Sequence, residues 1–216
     1  MKLTKYTHSC VRLENEGKVL VLDPGNFSEV EEALDGADFL LVTHAHPDHF
    51  HTEKVLPLIQ ANPELVIYAP ALICQTIREA VPTAALTEVE AETSFELEGF
   101  SVQTFGGQHA LIHPLIKTIE NFGYLINEKV YHPGDSLVVP HGLKVEHALA
   151  PIHAPWNKMS EVIDFIIALG AKKVYPIHNG LINEKGHGII ENQISNFAKK
   201  YGSDYQHLDA GQSIEL

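Results

Sequence analysis

Histidine and aspartate side chains are concentrated in one short stretch, THAHPDHF at 43–50, which directly follows an apolar run. The apolar run predicts a buried strand, and alternation along an extended chain puts His44 and His46 on the same side. A proline then ends the strand and turns the chain, so Asp48 and His49 approach the same region from another direction. Imidazole and carboxylate groups together are ligands of divalent ions such as Zn²⁺. The stretch therefore predicts a metal site at the end of this strand.

Each of these residues alone has a simpler interpretation. An aspartate at position 48 is typical of a helix N-cap, and a single surface histidine commonly has no function. The complete H-x-H-x-D-H string after a strand favours the metal site, because four ligands then converge from one loop. The helix that we predict to begin near His49 also disfavours a charged imidazolium at its N-terminus, which keeps the imidazoles in their metal-binding form.

Length and composition limit the remaining choices. The chain has 216 residues, of which 44% are hydrophobic and 20% are charged, and this predicts a single globular domain over residues 1–216. The formal net charge of −13 without a basic cluster disfavours nucleic acid and anionic membranes as partners. No stretch approaches the roughly 18 apolar residues of a membrane span. Two separated cysteines suit a reducing compartment, so we expect a cytoplasmic protein; its oligomeric state is left open, a homo-oligomer included.

The elements that must position these side chains form a mixed α/β pattern. Apolar and alternating runs, separated by turn residues, predict strands, and apolar spacing of three to four residues predicts helices. The predicted strands are 2–13, 18–22, 38–43, 65–69, 86–89, 94–97, 100–105, 121–127, 129–132, 146–150, 173–177 and 204–215, and the predicted helices are 49–60, 71–80, 159–169 and 188–200.

Four further motifs follow or precede this string in a recognisable order. They are Asp23 in VLVLDPG, His109 in FGGQHA, Asp135 in YHPGDS and His178 in VYPIHNG. Together with the string at 43–50, they resemble the metallo-β-lactamase superfamily over nearly the whole chain. The resemblance implies an αββα four-layer sandwich, in which two mixed β-sheets pack face to face with helices outside and metal ions at one edge.

The resemblance also implies a dinuclear centre. The first ion would be held by His44, His46 and His109, the second by Asp48, His49 and His178, and Asp135 would bridge the two. Di-iron enzymes of the superfamily tend to have glutamate where His46 stands, and true β-lactamases use a cysteine and lack a second-metal histidine at position 49. Both differences favour Zn²⁺, with Mn²⁺ or another divalent ion left open. The small size and the N-terminal KLTKYTHSCVRLE resemble the branch that contains ascorbate-6-phosphate lactonase.

The expected activity is hydrolysis of a small ester, lactone or phosphoester by a metal-bound hydroxide, with an anionic or carbonyl-containing substrate. Asp48 and His113 are the candidate catalytic residues: the first would handle protons, and the second could polarise a substrate oxygen or be a simple loop histidine. Asp23 would accept a hydrogen bond from a ligand histidine, or be a turn residue. The alternatives are a phosphodiesterase or nuclease of the RNA-processing branch and a non-catalytic metal-binding protein. Roles for His8, His132 and His153 stay open.

Overall fold

The computed structural model describes residues 1–216 and contains fourteen strands and five helices. The strands are β1 (Lys2–Lys5), β2 (Val11–Asn15), β3 (Lys18–Leu22), β4 (Phe39–Leu41), β5 (Val66–Ala69), β6 (Ala85–Glu88), β7 (Ser94–Leu97), β8 (Phe100–Gly106), β9 (Phe122–Ile126), β10 (Val130–His132), β11 (His147–Pro151), β12 (Lys173–Ile177), β13 (Asp204–Tyr205) and β14 (Ser213–Glu215). The helices are α1 (Val30–Leu34), α2 (Thr52–Ala61), α3 (Ala71–Ala80), α4 (Met159–Leu169) and α5 (Glu184–Lys200).

The strands form two seven-stranded mixed sheets. The first has the order β14-β1-β2-β3-β4-β5-β6 and the second the order β13-β12-β11-β10-β9-β8-β7. One apolar cluster, which contains Leu20 and Tyr124, joins the two sheets face to face. A second cluster packs α1, α2 and α3 on the outer face of the first sheet, and a third packs α4 and α5 on the second sheet. These layers confirm the predicted αββα sandwich.

The ends of the chain differ from the prediction. Residues 2–13 are two antiparallel strands joined by a turn in which His8 has a φ of 66°. Residues 204–215 were predicted as one closing strand, and this is wrong: β13 pairs with β12 in one sheet, whereas β14 pairs with β1 in the other. The loop between them crosses from one sheet to the other, and neither short strand has enough alternating residues to reveal the break.

The helices also begin at positions other than those predicted. α5 starts at Glu184 rather than at 188, because the Asn183 side chain accepts a hydrogen bond from the Gly186 N–H and caps the first turn. Gly186 and Gly188, both within the first five residues of the helix, conceal its start in the sequence. α2 begins at Thr52, three residues after the predicted start, and the short α1 was not predicted.

Parallel pairing brings the functional loops to one edge of the sandwich. β3, β4 and β5 run parallel in the first sheet, and β10, β11 and β12 run parallel in the second. Their carboxyl ends therefore meet at a common edge. There the sheets are joined directly, since His44 forms a bridge with Asn121 and the Tyr124 hydroxyl donates to the Val42 carbonyl at 2.9 Å. None of the five helices has the length and apolar character needed to cross a bilayer.

Candidate metal centre

One group of side chains at this edge combines three histidines and an aspartate: His44, His46, His109 and Asp135. Their nearest ligand atoms all lie within 4.8 Å of one another. The Nε2 of His44 is 3.1 Å from the Nδ1 of His46, and the Nε2 of His109 is 3.2 Å from the Oδ2 of Asp135. All except His46 are buried. The structure thus brings together the residues that the sequence assigned to the first ion, with Asp135 beside them.

A second group lies next to the first and contains His8, Asp48, His49 and His178, again with ligand atoms within 4.8 Å. The Oδ2 of Asp48 is 3.6 Å from the Nε2 of His178. Asp48 is the more accessible member, with 23% of its side chain exposed, whereas the three histidines are buried. The three residues predicted for the second ion are therefore neighbours, and His8 joins them.

Asp135 connects the two groups. Its Oδ1 lies 3.0 Å from the Nε2 of His49, and its Oδ2 lies 3.1 Å from the Nε2 of His178. The Nε2 of His44 is 3.8 Å from the same Oδ2. One carboxylate thus faces histidines of both groups, which is the arrangement expected of a bridging ligand.

The hydrogen bonds of four of the buried histidines determine which ring nitrogen is free. In each ring, Nδ1–H donates to an oxygen: Thr43 Oγ1 for His44, Asp23 for His49, the Ala110 carbonyl for His109 and the His153 carbonyl for His178. The Thr43 hydroxyl can accept because its own proton goes to Asp23 at 2.7 Å. In its neutral form, each of these rings consequently directs its Nε2 lone pair towards Asp135.

Lone pairs converging on a carboxylate repel one another unless a cation lies between them. The Nε2 of His49 and the Oδ1 of Asp135 are both buried, and neither has a hydrogen-bond partner. Buried polar atoms of this kind are rare and need an explanation such as an ion. Imidazole nitrogens with carboxylate oxygens suit Zn²⁺ and similar divalent ions. The residues present therefore fit a pair of divalent metal ions.

The electrostatics of the centre are dominated by burial and by Asp135. Burial lowers the pKa of His44 well below its usual value, which keeps this ring neutral. Burial also opposes a charge on His49, but the carboxylates of Asp135 and Asp23 together raise the pKa of His49 well above normal. Burial similarly disfavours the Asp135 anion, yet His49 and its neighbours hold the pKa of Asp135 well below its usual range. The carboxylates of Asp135 and Asp23 thus favour positive charge at the position of His49, which is the charge that a divalent ion would supply.

Asp23 is the buried anchor of this network. It accepts hydrogen bonds from the Thr43 N–H at 2.8 Å, from the Thr43 hydroxyl and from His49 at 2.6 Å. These contacts match the predicted alternative in which Asp23 fixes the orientation of a ligand histidine. A histidine paired with a carboxylate in this way is a common support of metal sites.

His8 is oriented as a donor to Asp48 rather than as a metal ligand. Its Nδ1 accepts from the Gly180 N–H at 3.2 Å, so the proton lies on Nε2, which donates to Asp48 Oδ2 at 3.1 Å. Burial lowers the pKa of His8 to about 4, so the ring is neutral. Although burial favours the neutral acid, the hydrogen bond from His8 lowers the pKa of Asp48 to about 2. His8 therefore holds an ionised Asp48 in place.

Two residues that support Asp135 were not singled out from the sequence. The Trp156 Nε1–H donates to Asp135 Oδ2 at 2.9 Å, and its ring lies between His109 and His178. The Asn121 Oδ1 accepts from the Asp135 N–H at 2.8 Å. The only available signal for Trp156 was that it is the single tryptophan of the chain and closely follows β11, which ends at Pro151.

Other predicted candidates lie outside the two groups. His113 is exposed, and its Nδ1 accepts from the Leu115 N–H at 3.1 Å. His153 contributes its backbone carbonyl to His178, whereas its side-chain Nδ1 has no partner. His132 accepts from the Gly134 N–H and donates to the Ser9 carbonyl, so it supports the turn before Asp135.

Comparison with known proteins gives a consistent picture. A family described as a β-lactamase superfamily domain matches residues 2–178. A Mycobacterium tuberculosis protein, Rv0786c, is 34% identical and aligns over 99% of both chains. A Bacillus cereus protein named as a metal-dependent hydrolase is 28% identical over the full length of both. Among solved structures, Igni18, a metallo hydrolase of Ignicoccus hospitalis, superimposes with a TM-score of 0.77 at 18% identity, covering 100% of this chain and 98% of that one.

Proposed function

Because the chain belongs to the metallo-β-lactamase superfamily and is a metal-dependent hydrolase, we propose that it cleaves a small ester, lactone or phosphoester at a dinuclear centre. The observation that carries the proposal is the position of Asp135, whose Oδ2 lies 3.2 Å from the Nε2 of His109 in the first group and 3.1 Å from the Nε2 of His178 in the second. Zn²⁺ is the proposed ion, since imidazole nitrogens dominate the donor set. All catalytic groups lie within the single proposed domain, residues 1–216.

The proposed ligands are the seven residues that the family resemblance implied. His44, His46 and His109 would hold the first ion, Asp48, His49 and His178 would hold the second, and Asp135 would be shared by both. Two divalent ions so placed would lower the pKa of a water molecule from about 15.7 towards 7 and would stabilise negative charge on the substrate. The fixed Nδ1–H donors keep the rings from rotating, so the ligand atoms need little reorganisation when ions bind.

Asp48 has the proposed catalytic role of orienting the attacking water. It is a ligand with part of its side chain exposed, and His8 fixes its Oδ2 at 3.1 Å. A pKa of about 2 makes it an ionised hydrogen-bond acceptor for water rather than a strong base. Replacing Asp48 with asparagine should therefore lower kcat more than it raises KM.

The surroundings of the first group favour a small organic substrate. Ile112 and Ile116 line a small cavity together with His46 and His109, and Leu115 on the same loop is 89% exposed. Apolar side chains beside polar catalytic groups are typical of small-molecule sites. The net charge of −13 disfavours a polyanionic partner such as nucleic acid. His113, on the same loop, has the proposed role of contacting a substrate oxygen.

The experiment is a metal analysis followed by a substrate panel. Protein purified without added metal is analysed for bound ions, and then esters, lactones and phosphoesters are tested before and after chelation. We expect two ions at this centre, identified by their loss in Asp135→Ala together with the loss of turnover, and turnover that is lost with chelator and recovered with Zn²⁺. His141→Ala is the matched control, because His141 is exposed and belongs to neither group.

Two results would decide against the proposal. One bound ion whose affinity is unaffected by His49→Ala would contradict the dinuclear centre. Metal-replete protein that turns over none of the panel faster than buffer would instead favour a non-catalytic metal-binding protein. The variant His113→Ala tests whether His113 contacts the substrate. Such a contact predicts lower turnover at unchanged metal content.

A further inference from the structure

A third cluster of potential ligands lies apart from the metal centre. His187 and Glu191 are one turn apart on α5, and His207 lies on the segment between β13 and β14. The Nδ1 of His187 is 2.5 Å from Glu191 Oε1, and the Nδ1 of His207 is 2.9 Å from both oxygens of Glu191. The three ligand atoms lie within 4.8 Å of one another. None of these residues takes part in the proposed catalytic site.

The contacts of His207 place the lone pair of one ring nitrogen against a carboxylate. Its Nε2 is 3.1 Å from Asp209 Oδ1, and a carboxylate there can only accept, so Nε2 carries a proton. The neutral ring then directs its Nδ1 lone pair at Glu191, which is itself an acceptor. The contact is satisfied either by a second proton on His207 or by a cation between the two groups. A carboxylate that orients the far nitrogen of a histidine is a common companion of bound metal.

Glu191 is well placed to be the central ligand. Only 13% of its side chain is exposed, compared with 25% for His187 and 38% for His207. Two imidazoles therefore converge on a carboxylate that has limited access to water. Two histidines and one carboxylate are a ligand set of Zn²⁺ and related ions, and three protein ligands leave a position for water.

The same three residues line a surface cavity of about 600 Å³. The cavity gives an ion a path from solvent to the cluster. A cation there would join α5 to the segment that crosses between the two sheets, because β13 and β14 belong to different sheets. From the converging ligands, the Asp209 contact and the cavity, we propose that His187, Glu191 and His207 bind an additional divalent cation of the Zn²⁺ type, which fastens α5 to this segment.

The test compares the zinc stoichiometry of three proteins after equilibrium dialysis: the parent, Glu191→Gln and Asn192→Ala. Glu191→Gln keeps the size of the side chain but removes its charge, and it should bind one ion fewer per chain than the parent protein. Asn192→Ala is the matched control: Asn192 also lines the cavity but belongs to no ligand group, so its stoichiometry should equal that of the parent. The difference between chains is informative whatever number of ions the catalytic centre holds, so this test is independent of the proposed function.

A second measurement covers the outcome in which Glu191→Gln fails to fold. In the intact parent protein, Zn²⁺ should shift the imidazole ¹⁵N resonances of His187 and His207 and raise the unfolding midpoint. Equal zinc stoichiometry in the parent and a folded Glu191→Gln would overturn the proposal. Imidazole resonances that stay at imidazolium positions at saturating Zn²⁺ would also overturn it, because the cluster would then be a proton-mediated ion pair.

Discussion

Replacement of Gly134 by alanine tests how the metal centre is held in shape. Gly134 directly precedes Asp135 and has a φ of 61°. A Cβ atom at this position would lie 2.3 Å from Asn121 Oδ1 and 2.7 Å from Thr43 Cβ. Both neighbours are buried, and both hold the centre: Asn121 accepts from the Asp135 N–H, and Thr43 contacts Asp23. An alanine therefore has to displace side chains that position the ligands.

The expected loss of unfolding free energy in Gly134→Ala has two parts. The same substitution at a second glycine separates them. The left-handed backbone conformation costs an alanine about 1 kcal/mol. Crowding in a well-packed interior adds about 1–3 kcal/mol. Gly36 has nearly the same φ, 63°, and an added Cβ there would meet no atom within 4 Å. Gly36→Ala should therefore lose about 1 kcal/mol of unfolding free energy, and Gly134→Ala about 2–4 kcal/mol by the sum of both parts.

Urea unfolding of metal-free protein measures both losses, and zinc titration gives the functional consequence. Because Asp135 and its neighbours are displaced, Gly134→Ala should also weaken zinc binding by about 10–100-fold, the range typical of changes in the residues around metal ligands. Gly36→Ala should bind zinc as the parent does. If the two variants lose equal stability and bind zinc equally, then the turn before Asp135 is not crowded, and the reasoning fails.

Four further substitutions probe individual contacts. His178→Ala should lose metal and nearly all activity, whereas His153→Ala should keep its metal because only the His153 backbone carbonyl contacts His178; equal metal loss in both would reverse this assignment. Trp156→Phe removes the N–H that donates to Asp135 and should weaken zinc binding by about tenfold in a calorimetric titration, a result that unchanged affinity would contradict. Asp23→Asn places an amide against three donors and should cost about 1–3 kcal/mol in urea unfolding; a variant as stable as the parent would show that Asp23 is not the buried anchor.

Local patterns determined much of the fold. The helices at 71–80 and 159–169 and the strand at 173–177 begin and end where the apolar periodicity predicts, because each packs one apolar face on a core cluster. The ligand motifs were also visible, since a histidine-rich string after a strand needs little tertiary information. The seven predicted ligands come together because parallel strands place their carboxyl ends at one edge.

What the sequence did not reveal depends on contacts between distant segments. Trp156 reaches Asp135 from a loop that follows another strand, and no local pattern encodes this hydrogen bond. The division of 204–215 between two sheets likewise depends on which edge strand each short segment meets. The role of His8 is set by the Gly180 N–H, which is 172 residues away and fixes the position of its proton. Such features are decided by tertiary packing rather than by periodicity.

Backbone strain shows how the fold positions the centre. His8, Asp23 and His178 have φ values of 66°, 49° and 57°, in the left-handed region that costs residues other than glycine about 1 kcal/mol or more. Each lies in a turn at the metal centre, and the His178 N–H donates to the His8 carbonyl at 3.2 Å, so two strained turns support each other. The four other residues of this kind, Glu16, Glu92, Asn127 and Glu128, lie outside both ligand groups. Strain therefore recurs where side chains must leave a strand end and turn inward. The apolar layers on both faces of the sheets stabilise the fold and offset the free-energy cost of this strain.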